Sequence, residues 1–267
     1  MLRERGWRHR QGGFSLVELS VAMVIALFLV AGLFTLEQST RKTSSQQTQL
    51  AQLQDNERLA MTIMTDVIQN AGFFADPSTS TAVGSLPTAP APTFFQTAGQ
   101  AVYGTTTGGL DSIYVQYMSE GSRTDGLILC NGQPTTDVAI GNPGIAYINQ
   151  FSIQQDPTTK VWQLACTVST NIASTVTALT ATPVVLVEGI EKLQILYGLA
   201  TAGTNGNSVD TYWTATQIAA DITTNRWLQV SSVKVVLTFT NPLKGQAGQA
   251  NTINFERVIG IMNRTGA

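Results

Sequence analysis

The chain has 267 residues, of which 43% are hydrophobic and 12% are charged, so broad disorder is excluded and a buried core is expected. The first 13 residues hold four arginines and one glutamate, a balance of +3, whereas the formal net charge of the whole chain is −2. The remainder is therefore acidic at −5 without a basic cluster, which argues against nucleic-acid binding by this part. His9 is the only histidine. A chain that lost its N-terminus would have no imidazole for catalytic triads or metal sites.

A long apolar segment follows the basic N-terminus. Residues 14–36 contain one charged side chain, Glu18, and are numerous enough to cross a bilayer as a helix. The segment is longer than the apolar part of a secretory signal peptide, and no small-x-small cleavage site follows it. Because positive flanks stay in the cytoplasm, the sequence predicts a cytoplasmic leader and a single membrane span.

The helix is predicted to continue beyond the membrane. Residues 37–71 contain neither proline nor glycine. Apolar residues recur there at three-, four- and seven-residue steps, with one interruption at Glu57. Gly72 then stands where helix C-caps favour glycine. The sequence therefore predicts a helix over 14–72 with a transmembrane half and an amphipathic half.

The rest of the chain changes from loop to strand composition. Residues 73–110 hold four prolines among Ser, Thr, Ala and Gly and are predicted to be a connection. From Asp111 onward, short alternating patterns without intervening helices predict an antiparallel sheet in a head that spans 111–267. The predicted strands are 112–118, 126–130, 146–155, 161–168, two pieces within 183–199, 232–240 and 253–263, and 214–223 is predicted to be a short helix. The expected fold class is α+β, with the long helix packed on the antiparallel head.

The most specific signal lies between the basic leader and the apolar helix. It reads Gly12-Gly13-Phe14-Ser15-Leu16-Val17-Glu18-Leu19. A carboxylate this deep in an apolar helix costs about 2.5–3.5 kcal/mol on insertion scales, so a function is expected for it. The string resembles the class III signal of type IV prepilins and type II secretion pseudopilins. A plain signal anchor, with Glu18 at the membrane interface, is the alternative.

The resemblance implies two site assignments. A membrane peptidase cuts after Gly13 in that family and methylates the new first residue, here Phe14. The glutamate at the position of Glu18 pairs with the N-terminal amine of a neighbouring subunit. This pairing is physically reasonable because each charge is costly alone in lipid and tolerable as a pair.

Other stretches resemble PilW-type minor pilins. They are 58–74, which ends in Ala-Gly-aromatic, together with 187–199, 209–215, 227–237 and 256–266. The resemblance implies a pilin-like fold and a subunit that joins other minor pilins and the major pilin in a complex that primes assembly or lies at the tip. Relatives often carry a cysteine just after the Ala-Gly-aromatic stretch, where this chain has Phe73-Phe74-Ala75.

The resemblance also sets the expected partners and location. They are prepilin peptidase, the other pilins and the inner membrane, with a periplasmic head that later joins a cell-surface pilus. Two alternatives remain: a J-type pseudopilin of type II secretion, which shares the layout, and a membrane-anchored adhesive module that does not polymerise. An enzyme is not expected, and no cofactor or metal is expected, since no nucleophile or paired-carboxylate motif and no calcium-loop spacing is present.

The cysteines and tryptophans give expectations for the head. Cys130 and Cys166 are the only cysteines, and an even count in a periplasmic domain favours a disulfide over two buried free thiols. Trp162, Trp213 and Trp227 stand on or beside predicted strands. Packing in the core is therefore the preferred interpretation over a carbohydrate-binding surface.

Overall fold

The computed structural model describes residues 13, 15–74, 81–89, 95–119, 126–135, 145–199, 209–221 and 223–262. Most of the predicted leader and Phe14 lie outside the described residues. The chain divides into two units, residues 1–50 and 51–267.

The long helix, α1, spans Leu16–Gln69. It begins directly after Ser15, and the chain turns at Gly72, whose φ of 78° is the left-handed conformation that glycine adopts at helix C-caps. Within the described residues, α1 is the one helix long and apolar enough to cross a membrane. Its apolar side chains from Leu16 to Leu36 are exposed. Its buried residues all belong to the second unit and are Leu53, Ala60, Met61, Met64, Val67 and Ile68.

The second unit contains ten strands in its described part. They are β1 Val102–Thr107, β2 Leu110–Met118, β3 Ala146–Gln155, β4 Trp162–Ile172, β5 Thr175–Ala178, β6 Val184–Glu188, β7 Ile190–Leu199, β8 Thr211–Trp213, β9 Val230–Thr240 and β10 Thr252–Gly260. The first sheet has the order β1-β2-β3-β4-β5, and β6 also pairs with β4. The second sheet has the order β10-β9-β7-β8. All pairings are antiparallel.

One apolar core joins the C-terminal part of α1 to both sheets. It contains Met61 and Met64 of the helix, Ile113 of the first sheet, and Leu237 of the second sheet. Along β9, buried residues alternate with half-buried ones from Val233 to Thr240, so one face of this strand lies in the core and the other is half-exposed. The α+β class with an antiparallel head is therefore confirmed, although the head holds two sheets where one was expected.

The strand predictions are largely confirmed. The predicted segment 183–199 divides at Gly189, whose φ is 82°, into β6 and β7. The predicted short helix is α3, Ala215–Ala220, which Thr214 and Gln217 cap reciprocally.

The predicted strand 126–130 is wrong. In the described part of this region only an isolated bridge forms, between Ile128 and Pro134. The chain reverses immediately at Asn131-Gly132, and Leu129 donates its N–H to the carbonyl of Gln133 at 2.9 Å. The leucines that produced the strand pattern are buried in the core, but the turn leaves no length for a ladder.

The predicted connection 73–110 contains ordered elements. A short helix, α2, spans Ala82–Ser85, and β1 lies inside the same range. A covering segment (residues 86–89 and 95–100) packs Phe95 and Ala89 against Ile148 of the first sheet. Gln116 and Asn171 each donate a side-chain hydrogen bond to the carbonyl of Pro87, at 3.0 and 3.2 Å. The proline-rich composition predicted a loop. It did not indicate that the side-chain amides of Gln116 and Asn171 would hold this loop on the sheet.

We predict that Gly104→Ala destabilises the protein by about 1–3 kcal/mol, because a Cβ there would overlap the hydroxyl end of the fully buried Tyr197 side chain. Urea unfolding of the full chain in detergent measures the change. Gly260→Ala is the matched control, since its added Cβ meets no atom within 4 Å. Equal stability of the two variants would contradict the packing described for Tyr197.

Candidate functional site

Glu18 lies in the first turn of α1, where its carboxylate caps the helix. The Oε2 atom accepts the backbone N–H of Ser15 at 3.0 Å, and the Ser15 hydroxyl accepts the N–H of Val17 at 3.4 Å. Leu19 donates the first helical hydrogen bond to the Ser15 carbonyl at 3.1 Å. Both side chains therefore cap backbone N–H groups at the start of the helix, and the carboxylate places negative charge at the end of the helix dipole that favours it. The Ser15-x-x-Glu18 spacing is the sequence signal for these caps, which were not among the features predicted above.

The surface around Glu18 is apolar and uncovered. The large apolar side chains of residues 16–36 are between 53 and 85% exposed, with Leu16 the most exposed. Gly13 and Ser15 are exposed as well, and Phe14 lies outside the described residues. Lipid or the helices of neighbouring molecules are the environments in which such a surface is stable.

Glu18 forms no ion pair with any described residue. The nearest basic residues that follow it along the chain are Arg41 and Lys42, beyond the apolar segment. Arg41 already pairs with Glu37 at 2.7 Å. A positive charge for Glu18 must therefore come from the N-terminus of the chain or from another molecule. Glu18 is therefore a candidate assembly residue because of its negative charge and its position in an exposed apolar helix.

The structure contains the predicted disulfide between Cys130 and Cys166. Their Cα atoms are 6.0 Å apart, the residues are separated by 36 positions, and both are fully buried. Cys166 is on β4, whereas Cys130 lies on the turn after Leu129 rather than on a strand. The Cys130 N–H also donates to the Asn149 side chain at 2.8 Å. The disulfide therefore fastens the segment 126–135 onto the first sheet.

The tryptophans pack as the sequence predicts. Trp227 is 8% exposed, and its ring centroid lies 4.9 Å from those of Tyr103 and Tyr197. Burial raises the pKa of Tyr197 well above its ordinary value, so its hydroxyl stays neutral. Trp162 and Trp213 are half-buried and pack against the same core. These contacts favour structural roles for the three rings.

A cavity of about 330 Å³ lies beside Trp227 and is lined by several polar side chains. Its charged lining residues, Asp221 and Arg226, pair with each other at 2.7 Å. Hydrogen bonds from Thr223 and from Arg226 hold the pKa of Asp221 well below its usual range. An ionised carboxylate with these partners is not a proton acceptor at neutral pH. Among the described residues, no group of three His, Cys, Asp or Glu side chains is placed to hold a metal.

Comparison with protein families gives two matches. Residues 8–34 match the prokaryotic N-terminal methylation motif, a range that includes Gly13, Phe14 and Glu18. Residues 150–258 match the PilW family, described as type IV pilus-assembly protein W. No curated protein and no solved structure gives a match to the chain.

A methylation motif at the start of a long apolar helix, followed by an antiparallel head, defines a type IV pilin. The match in the head, together with the methylation motif, supports a type IV pilin of the PilW family and a minor pilin of type IV pilus assembly. The head match begins at residue 150, well before the predicted resemblance at 187, and the stretch 58–74 lies in neither match. Pilin-family domains are structural, and the apolar helix fits a membrane-anchored chain.

We predict that replacing both cysteines, Cys130→Ala with Cys166→Ala, lowers the free energy of unfolding by about 3–4 kcal/mol, since the bridge restricts the unfolded chain. Urea unfolding of the full chain in detergent measures the loss. The unmodified chain in reductant-free buffer is the reference, and alkylation before and after reduction counts its thiols. Two alkylatable thiols in the unreduced protein would contradict the disulfide.

Proposed function

We propose that the chain is a minor pilin that prepilin peptidase cleaves after Gly13 and that then takes part in building the pilus within a priming or tip complex. The observation that carries the proposal is Glu18, a lone anion on an exposed apolar helix with no described cation nearby. The methylation-motif match supports the cleavage step, and the PilW match supports the assembly role.

The charge balance explains why cleavage matters. Cleavage after Gly13 creates an ammonium group on Phe14, about one helical turn before Glu18 in sequence. One carboxylate oxygen accepts the N–H of Ser15, and the other, Oε1, has no partner among the described residues. A neighbouring subunit's ammonium group at Oε1 would neutralise both charges. Either charge is costly alone in lipid, so pairing the two favours a subunit that joins a neighbour over one that stays alone in the membrane.

The proposal assigns a role to each part of the chain. Residues 1–13 form the removed leader, 14–72 the pilin helix with its membrane part over 14–36, 73–110 the connection, and 111–267 the head. The covering segment and β1 pack with the head, so the connection is partly built into it. The head lies in the periplasm before assembly and on the cell-surface pilus afterwards. The partners are prepilin peptidase, the other minor pilins, the major pilin and the inner membrane.

We predict that Glu18→Ala leaves leader removal intact but lowers incorporation into filaments by roughly tenfold or more. An uncompensated charge costs about 2.5–3.5 kcal/mol in the membrane, and each 1.4 kcal/mol corresponds to about tenfold. The ratio of the chain in sheared filaments to the chain in membranes, measured by quantitative immunoblot, gives the effect. Glu37→Ala is the control, because it removes an acidic residue from the same helix outside the apolar segment.

Glu18→Gln separates the charge from the helix cap. Glutamine keeps an oxygen that can accept the Ser15 N–H, since either residue completes a capping box, but it removes the negative charge. If charge pairing drives assembly, the Gln variant loses incorporation like the Ala variant. Normal incorporation of Glu18→Gln would show that Glu18 acts only as a cap and would refute the pairing role.

We predict that Gly13→Val slows leader removal at least several-fold, because a branched side chain at the proposed cleavage position obstructs the peptidase. The mass of the chain at successive times after induction measures the rate. Gly32→Val is a matched control: its added Cβ also meets no atom within 4 Å, but it lies well inside the apolar helix. Unchanged cleavage of Gly13→Val would contradict the assigned site.

A further inference from the structure

Strand β10 is an edge of the second sheet and pairs only with β9 among the described strands. Two backbone hydrogen bonds at its ends show which of its residues bond to β9. Asn241 donates to the carbonyl of Asn251 at 2.8 Å, and Ile261 donates to the carbonyl of Ser231 at 2.9 Å. In an antiparallel pair the bonded positions alternate, so the odd-numbered residues of β10 bond to β9. The even-numbered residues direct their N–H and C=O groups away from β9.

The next even-numbered residue confirms this direction. The Met262 N–H does not reach β9 but donates to the Gln69 carbonyl at the end of α1, at 3.1 Å. Within β10 itself the outward-directed residues are Thr252, Asn254, Glu256, Val258 and Gly260. No backbone hydrogen bond on that side joins them to another described residue. All except the half-buried Thr252 are exposed, and Val258 is 56% exposed.

The length of this edge is unusual for a strand without a partner. Natural sheets protect free edges with short strands, prolines, bulges or covering elements, because a free row of N–H and C=O groups pairs readily with another strand. β10 has nine residues, no proline, and no register shift against β9. Its protection consists of the charged residues Glu256 and Arg257 near its centre.

These charges disfavour a second copy of the chain as the occupant. Antiparallel pairing of two β10 strands over their full length places Glu256 opposite Glu256. A shift of two residues, the smallest that keeps the outward-directed backbone groups facing each other, places Arg257 opposite Arg257 in one of its two directions. Like charges directly opposite each other destabilise a strand pair. Glu256 already has a cation, Lys234 at 2.9 Å. Arg257 is exposed, and its Nη1 reaches only the Thr65 hydroxyl at 3.4 Å, so it pairs with no described carboxylate.

We propose that the free edge of β10 receives an extended strand from a different subunit of the filament. The backbone groups of the five outward residues supply the hydrogen bonds, as in β-strand addition to other sheet edges. The complementary strand carries an acidic residue next to Arg257 and no acidic residue next to Glu256. A single added strand buries less surface than a stable interface needs, so this contact works together with helix packing in the assembled filament. The inference rests on the proposed function for its partner.

The test replaces the outward-directed N–H of Val258. Val258→Pro removes that donor and obstructs an added strand, but it costs no bond to β9, so the head still folds. Val258→Thr keeps the N–H and is the matched control. We expect Val258→Pro to lower incorporation into sheared filaments at least fivefold, with normal leader removal and an unchanged unfolding midpoint, and Val258→Thr to incorporate normally. Equal incorporation of the two variants would overturn the proposal.

A photo-crosslinking amino acid at position 258 tests the occupant without any effect of proline on folding. The same crosslinker at Thr238, in the middle of the sheet, is the reference position. Crosslinked peptides from assembled filaments, identified by mass spectrometry, are expected to join position 258 to an extended segment of another pilin. Crosslinks only to a second copy, or as many from position 238, would overturn the proposal. If position 258 gives no such crosslinks but Glu18→Ala still lowers incorporation into filaments, only the edge contact is rejected. If Glu18→Ala does not lower incorporation, the proposed assembly function is rejected.

Discussion

Glu18 is a carboxylate in an exposed apolar helix, and no cation pairs with it in the described part of the chain. Glu18 is held at the end of α1 by the Ser15 N–H, and the surrounding side chains are exposed and apolar. Such a surface requires lipid or other helices, and such a charge requires a cation in the same environment. In the proposed assembly, a cleaved neighbour would meet both requirements by bringing its N-terminal ammonium group to Glu18. Under that proposal, joining a filament relieves the cost of an unpaired charge that the chain would carry alone in the membrane.

The head is held together by an apolar core and by polar contacts to its connecting segments. Its core combines the second part of α1 with two antiparallel sheets, and its connections are tied down by specific polar contacts. Gln116 and Asn171 hold the covering segment on the first sheet, and the Cys130–Cys166 disulfide holds the turn segment. A chain with few charges thus fixes its loops through amide hydrogen bonds and one covalent bond. The long edge of β10 has no such fastening among the described residues.

The sequence predicted the features that depend on local periodicity and composition. The apolar run and the absence of proline and glycine from 37 to 71 predicted α1, and the alternation at 146–155 predicted β3 with its observed bounds. The prediction failed where tertiary contacts override local pattern. The leucines at 126–130 predicted a strand, but the chain reverses at Asn131-Gly132. The prolines near residue 87 predicted a loop, although side-chain amides distant in sequence hold that segment on the first sheet. The local string of residues around Glu18 predicted the candidate site. The caps at the start of α1 follow from the Ser15–Glu18 spacing and were not predicted.

The division of the head into two sheets also depends on long-range pairing. β7 joins β9 across a separation in sequence that no local pattern encodes.

The proposed assembly depends on removal of the leader. The intact mass and the N-terminal peptide of the chain purified from its native membrane measure this step. We expect a mature chain that begins at N-methylated Phe14. A chain that begins at Met1 would contradict it and would leave a simple membrane anchor.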